Sequence, residues 1–210
     1  MAALHVVGSD PNVIECPWCG CTDRDRHLRL YLKALKLEAR FSAANVLHFA
    51  PERSISKFIR SQSPSLYVTV DISDNRPVEL RTNMENIAIA SETVDIVIAN
   101  HVLEHIENLD AGLAELHRVL KPGGLAILQT PYSDRLEDTF EDAGICDELA
   151  RHHAYGQSDH VRLFGRNIFS IICAAGFASK VSEHDDALGD VNPDQWGVNA
   201  REPLMLFEKC

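Results

Sequence analysis

From Asn45 onward, short apolar runs alternate with stretches whose apolar residues recur at helical spacing. That alternation constrains the fold more than any other feature. Strand-helix-strand successions place strands side by side in parallel and lay helices over both faces of the sheet. The expected strands are 45–49, 66–70, 94–99, 125–129, 178–182 and 204–207. Between them, Ile55, Phe58 and Ile59 suit one helix face, Leu109, Leu113, Leu116 and Leu120 a second, and Ile168, Ile171, Ile172 and Ala175 a third. Lys121-Pro122-Gly123-Gly124 reads as a stop that feeds the following strand. The expected class is α/β, a doubly wound and mostly parallel sheet.

Ahead of that rhythm, residues 1–40 hold a cysteine cluster and a helix. Thr22 can cap it, Asp25 favours its first turn, and Leu28, Tyr31, Leu32 and Leu35 form its apolar stripe. Arg24, Arg26, Arg29, Lys33 and Lys36 are left for water or for a ligand. A length of 210 residues fits one domain with a small appendage. The boundaries expected are a knuckle and basic helix over 1–40 and a main domain over 41–210. Two long loops break the pattern, 132–165 and the acidic 184–201 with Trp196, and such loops usually carry function.

Twenty basic against 31 acidic residues leave a net charge of −11, which repels polyphosphate and argues against a broad nucleic-acid surface. No apolar run approaches the roughly 20 residues that span a bilayer, and the first residues lack a basic start followed by a long apolar stretch. The expectation is a cytoplasmic protein with no membrane span. Three of the 6 cysteines cluster and three are scattered, which is no disulfide framework.

In doubly wound sheets, ligands bind beyond the carboxyl ends of the strands. The residues there are Ala50, Pro51 and Glu52 after the first strand, Asp71 and Ile72 after the second, and Asn100 and His101 after the run ending at Ala99. A carboxylate at position 71 can accept both hydroxyls of a ribose, although an Asp at a strand end also serves simply as a turn former. The first turn contains no glycine, so a Gly-rich cradle for a pyrophosphate is missing and a dinucleotide is disfavoured. With Glu52 beside it, the turn offers negative charge. A nucleoside with a cationic tail suits it.

The run Val94-Asp95-Ile96-Val97-Ile98-Ala99-Asn100-His101-Val102-Leu103-Glu104-His105, followed by Arg118-Val119-Leu120-Lys121-Pro122-Gly123-Gly124 and a strand, resembles the class I S-adenosylmethionine-dependent methyltransferases. Val46-Leu47-His48-Phe49-Ala50-Pro51-Glu52 and Asp159-His160-Val161-Arg162-Leu163-Phe164-Gly165 resemble a bacterial branch, small-molecule or glycan in type, that begins with a cysteine knuckle. The resemblance implies a seven-stranded Rossmann-like sheet with S-adenosylmethionine as cofactor. It places Asp71 on the ribose, Asn83 and Met84 at the adenine edge, and Asn100 and His101 beside the methionine part. The first motif departs from the family, which has an acidic residue at the place of His48 and glycines at Ala50, Glu52 and Ser54. Glu52 is the expected substitute for that charge.

Methyl transfer to a hydroxyl requires alignment and removal of a proton, for which histidine is suited near neutral pH. His101 and His160 are the catalytic candidates, Tyr132 shapes the acceptor site, and Arg162 is positioned to hold an anionic group. His105 is expected to pack or hydrogen-bond. Cys16-Pro17-Trp18-Cys19-Gly20 has the form of half a zinc knuckle, which Cys21 and His27 can complete. The function expected is methyl transfer to a small-molecule or glycan acceptor at oxygen, with loop 132–165 covering the acceptor. The rivals are an RNA methyltransferase that grips with the knuckle and basic helix, and a non-catalytic binding protein on the same fold.

Overall fold

The computed structural model describes residues 6–9 and 15–210. Its strands are β1 (Val6–Val7), β2 (Asn45–Phe49), β3 (Leu66–Asp71), β4 (Leu80–Arg81), β5 (Val94–Ala99), β6 (Leu120–Ile127), β7 (Tyr132–Ser133), β8 (Phe177–Ser179) and β9 (Leu206–Lys209). Its helices are α1 (Asp23–Ala34), α2 (Arg53–Ser61), α3 (Leu109–Val119), α4 (Glu148–Tyr155), α5 (Ile168–Ala174), α6 (His184–Leu188) and α7 (Pro193–Trp196). Seven strands form one sheet in the order β4-β3-β2-β5-β6-β9-β8, while β1 and β7 pair separately. All neighbours from β4 to β6 run parallel; β9 inserts antiparallel between β6 and β8. The chain therefore winds outward from β2 in one direction through β3 and β4, then returns to the other side through β5. That reversal opens a crevice above the carboxyl ends of β2 and β5.

Each expected strand and helix is present, with shifts at the ends. The dipeptide strand β4 was not expected, and β6 begins at Leu120, before the sequence signal. Lys121-Pro122-Gly123-Gly124 is thus a kink inside β6 rather than a loop, lying where the pairing with β5 slips register between Val94 and Ile96. Gly124 is required there, since a Cβ would stand 2.8 Å from the Lys121 carbonyl.

Alternation along β2 sends Val46 to one face and Leu47 and Phe49 to the other. Helices α3 and α5 cover the second face with Leu113, Leu116, Ile168 and Ile172. The first face takes Ile55 and Ile59 of α2 and Leu28, Tyr31 and Leu32 of α1. A reciprocal capping box closes the start of α1, Thr22 accepting from the Asp25 backbone and Asp25 from the Thr22 backbone at 3.2 and 3.1 Å. Burying each of those α1 side chains stabilises the fold by roughly 1.5–3 kcal/mol, so the basic helix is a wall of the core.

Candidate active site

Two hollows meet above the sheet. The larger, about 610 Å³, is walled by Phe49 and Ala50 after β2, Asp71 and Ile72 after β3, Asn83 and Met84 beyond β4, and His101, Val102, His105 and Asp159. The second, about 460 Å³, is walled by Gly8, Ser9, Arg24, Pro131, Tyr155, His160 and Arg201 among others, and by His101 again. His101 lines both, so it stands between them. Loop 132–165 forms one side of the second hollow through α4 and the strand-like return at 160–163.

Two backbone reversals shape the rim of the hollows. Ala50 and His101 follow adjacent strands and both adopt left-handed φ, 45° and 53°. The Ala50 amide donates to the Val70 carbonyl at 2.8 Å and the His101 amide to the Gln129 carbonyl at 2.7 Å. The turn after β2 thus keeps a conformation a glycine takes freely, although the glycine is gone.

The His101 ring stands between two buried carboxylates, Nδ1 3.4 Å from Glu104 and Nε2 3.8 Å from Glu202. Burial opposes its charge, yet the two carboxylates prevail and push its pKa up to about 9. His101 therefore carries its proton at neutral pH. Glu202 is held down to about 2 by His101 and His27 against the cost of burial. His160 is the contrary case: burial keeps its pKa below the ordinary value, its Nδ1 pairs with the Tyr155 carbonyl at 3.2 Å, and its Nε2 has no partner among the described residues.

Glu52 and Asn100 do not wall either hollow. One Glu52 oxygen lies 2.8 Å from His48 Nε2 and the other accepts from Asn100 Nδ2 at 3.0 Å. Burial raises the Glu52 pKa, but the hydrogen bond and charge of His48 outweigh it and hold the carboxyl below its usual range. Pro51 is likewise absent from the walls of both hollows. The structure thus gathers Ala50, Asp71, Ile72, Asn83, Met84 and His101 at the larger hollow and leaves Pro51, Glu52 and Asn100 off its walls.

Arg162 is among the residues that line the second hollow, but the protein itself engages its guanidinium. Its guanidinium is buried and all five donors are spent: Nε and Nη2 on Glu141, Nη1 on the Leu103 and Ile106 carbonyls, Nη2 also on the Glu107 carbonyl. It clasps loop 132–165 to the segment after β5. Tyr132 is also diverted, packed edge-on against Phe169 at 5.3 Å and absent from the walls of both hollows.

The thiols of Cys16, Cys19 and Cys21 converge, with Cys19 and Cys21 Sγ 3.2 Å apart. His27 does not join them. It points from α1 into the core, pairing with His184 at 2.9 Å and stacking near Tyr31, because position 27 falls on the buried stripe of the helix. Three residues with prominent places carried little sequence signal. Arg24 stood out only as one of several basic residues, Glu104 only as part of a motif, and Glu202 lies in a loop remote in sequence.

The donor set of the larger hollow fits a nucleoside. Asp71 presents a partly exposed carboxylate at the end of β3, where among the described residues it accepts the Ser73 amide at 2.8 Å. Ile72 is 72% exposed beside it, an apolar side chain well suited to a flat base. Residues 37–128 match the family described as "Methyltransferase domain". That stretch is 92 of the 210 residues, and over it the chain is similar to the methyltransferase family.

An S-adenosylmethionine-dependent methyltransferase of Mesorhizobium loti shares this methyltransferase fold at a TM-score of 0.58 and 13% identity, over 86% of this chain and 98% of that one. The 1,6-didemethyltoxoflavin-N1-methyltransferase of Burkholderia thailandensis matches at 0.54 and 16%, over 86% and 78%. The [4+2]-cyclase SpnF matches at 0.57 and 14%, over 96% and 86%. No curated protein matches the sequence. At such identities the likeness establishes the fold alone, and the cyclase shows that the fold hosts more than one chemistry. Among the described residues, no helix is long and apolar enough to cross a membrane.

Proposed function

We propose that the protein transfers a methyl group from S-adenosylmethionine to an oxygen of a small-molecule or glycan acceptor. The observation that carries this reading is the position of His101, a wall of both hollows, between a nucleoside-shaped cleft and a second cavity. In the cleft, Asp71 takes the ribose hydroxyls, Ile72, Asn83 and Met84 flank the adenine, and the turn at Ala50 faces the methionine part. The cofactor supplies an electrophilic methyl on a sulfonium; the C–S bond breaks as the O–CH3 bond forms, and the hydroxyl proton must leave. Glu52, locked to His48 and Asn100, positions the first turn from behind and lends it negative charge.

The acceptor side supports oxygen over an amine. Arg24, Arg162 and Arg201 line the second cavity, Arg162 paired with Glu141 and Arg201 with Asp134, and among the described residues no carboxylate is a wall of it, so a neutral or anionic acceptor is favoured over a cationic one. A small-molecule acceptor is also in keeping with the toxoflavin enzyme that shares the fold. His101 holds a developing oxyanion, and in the ion-free protein His160, with Nε2 unpartnered among the described residues, takes the proton. Loop 132–165 excludes water from this cavity. At the knuckle, Cys16, Cys19 and Cys21 hold zinc with a fourth ligand other than His27, which elemental analysis of protein purified without added metal will check.

Incubation with isotopically labelled S-adenosylmethionine and fractionated extract tests the reading. Label transferred to a low-mass, protease-resistant component supports it. The glycine-free first turn, with Glu52 engaged inside the protein, favours a second reading, a binding protein without turnover; nucleoside binding with no transfer to any fraction selects it.

A further inference from the structure

We infer that Glu104, His105 and His160 form a divalent transition-metal site on the wall between the two hollows. One ligand atom from each of these residues lies within 4.8 Å of the other two. Glu104 and His160 are 2% and 5% exposed, yet Glu104 Oε2 and His160 Nε2 have no hydrogen-bond partner among the described residues. Burying such atoms unpaired costs about 1–3 kcal/mol each. An ion that accepts both lone pairs removes that cost.

The groups behind these atoms are already arranged as supports. A histidine that ligates a metal characteristically donates its other ring N–H to a carbonyl or carboxylate, which fixes its tautomer. His160 Nδ1 faces the Tyr155 carbonyl at 3.2 Å and His105 Nδ1 faces the Asp159 carbonyl at 3.1 Å. Each histidine therefore has Nε2 left over. Glu104 uses Oε1 on His101 at 3.4 Å and keeps Oε2. Three residues from two elements distant in sequence are thus each held at one polar atom, and two of the opposite atoms, Glu104 Oε2 and His160 Nε2, are buried without a partner among the described residues.

Two imidazoles and one carboxylate are the donor set of zinc, manganese or iron(II) sites that keep positions open. At metal–ligand bonds of about 2.1 Å the three donors must close to roughly 3.0–3.4 Å from one another. The side chain of His105 is one-third exposed and free to make that movement. Since His105 lines the cleft and His160 the cavity, the open positions lie where acceptor and cofactor meet, so the ion takes an oxygen of the acceptor as a further ligand. That last consequence rests on the methyl-transfer reading; the ion site itself does not.

The test is titration of metal-stripped, full-length protein with Co2+, without cofactor or acceptor, followed by calorimetry and absorption. Thiolate charge-transfer absorption reports ions at the cysteines, and an equivalent with d–d bands but no charge-transfer band reports the histidine-carboxylate site. We expect one such equivalent, weakened at least about 100-fold in His105→Gln and in Glu104→Gln. His105→Gln should melt as the wild type does, which guards against a folding defect at the buried Glu104. Absence of the band-free equivalent, or its persistence in both variants, overturns the inference. S-adenosylhomocysteine is titrated in parallel. Nucleoside binding without the band-free Co2+ equivalent sinks the ion site and spares the methyl-transfer reading, whereas the reverse result spares the ion site and sinks that reading.

Discussion

Replacing Arg162 by methionine separates a structural clasp from a substrate contact. Methionine keeps much of the apolar volume but removes five hydrogen bonds. Glu141 and Glu107 are exposed enough to find water, so the cost concentrates on the carbonyls of Leu103 and Ile106, residues 0% and 9% exposed. The Leu103 carbonyl keeps a long bond from the Ile106 amide at 3.4 Å while the Ile106 carbonyl loses the arginine, so the two acceptors cost about 1–6 kcal/mol together, a range that includes the 3–5 kcal/mol typical of breaking a buried charged contact. Taking roughly 4 kcal/mol, and about 2–4 °C per kcal/mol for a domain of this size, the melting temperature should fall by about 8–16 °C. Differential scanning calorimetry of Arg162→Met against wild type reads it directly. A melting temperature within about 2 °C of wild type would refute the clasp and return Arg162 to the role of holding an anionic acceptor.

Asp71→Ala removes two charge-assisted hydrogen bonds to a ribose, and S-adenosylhomocysteine should bind about 100-fold more weakly by calorimetry; a change under threefold would dislodge the cofactor from this cleft. Glu202 has its folded pKa depressed to about 2 against an ordinary value near 4.3, so its contribution is present above pH 4.3 and drains away as pH falls toward 2. Urea unfolding across that range should lose on the order of 3 kcal/mol, with a flatter limb in Glu202→Gln. Ala50→Gly relieves a left-handed φ of 45° and should leave stability unchanged or raise it by up to about 1 kcal/mol, while a loss above that in chemical denaturation contradicts strain at this turn.

The parallel sheet was legible because β2, β3 and β5 are buried on both faces and read as nearly continuous apolar runs. The capping box of α1 was equally plain, since Thr22 and Asp25 act within one turn. Dipeptide strands such as β1, β4 and β7 carry no periodicity, and their pairing depends on distant partners. Among site residues, Asp71 and His101 could be placed because a strand end fixes where a side chain emerges. His27 and Arg162 could not, because their environment comes from His184, Glu141 and three carbonyls that only folding brings near. Charged and metal-ligating residue types look alike in sequence whether they face a ligand or satisfy the interior.

That ambiguity narrows at the switch point, where the backbone itself is informative. Left-handed φ at a non-glycine residue costs on the order of 1–3 kcal/mol and persists only where surrounding structure over-determines it. Ala50 and His101 both meet that condition, each at the carboxyl end of a central strand and each clamped by its amide to the strand beyond, β3 for Ala50 and the extension of β6 for His101. Without these reversals β2 and β5 would run on over the crevice. The reversal at His101 also sets its ring between Glu104 and Glu202, and so ties the strain to the charge. The two costs fall on the same few residues that separate cleft from cavity, which is where a fold serving only its own stability has least reason to place them.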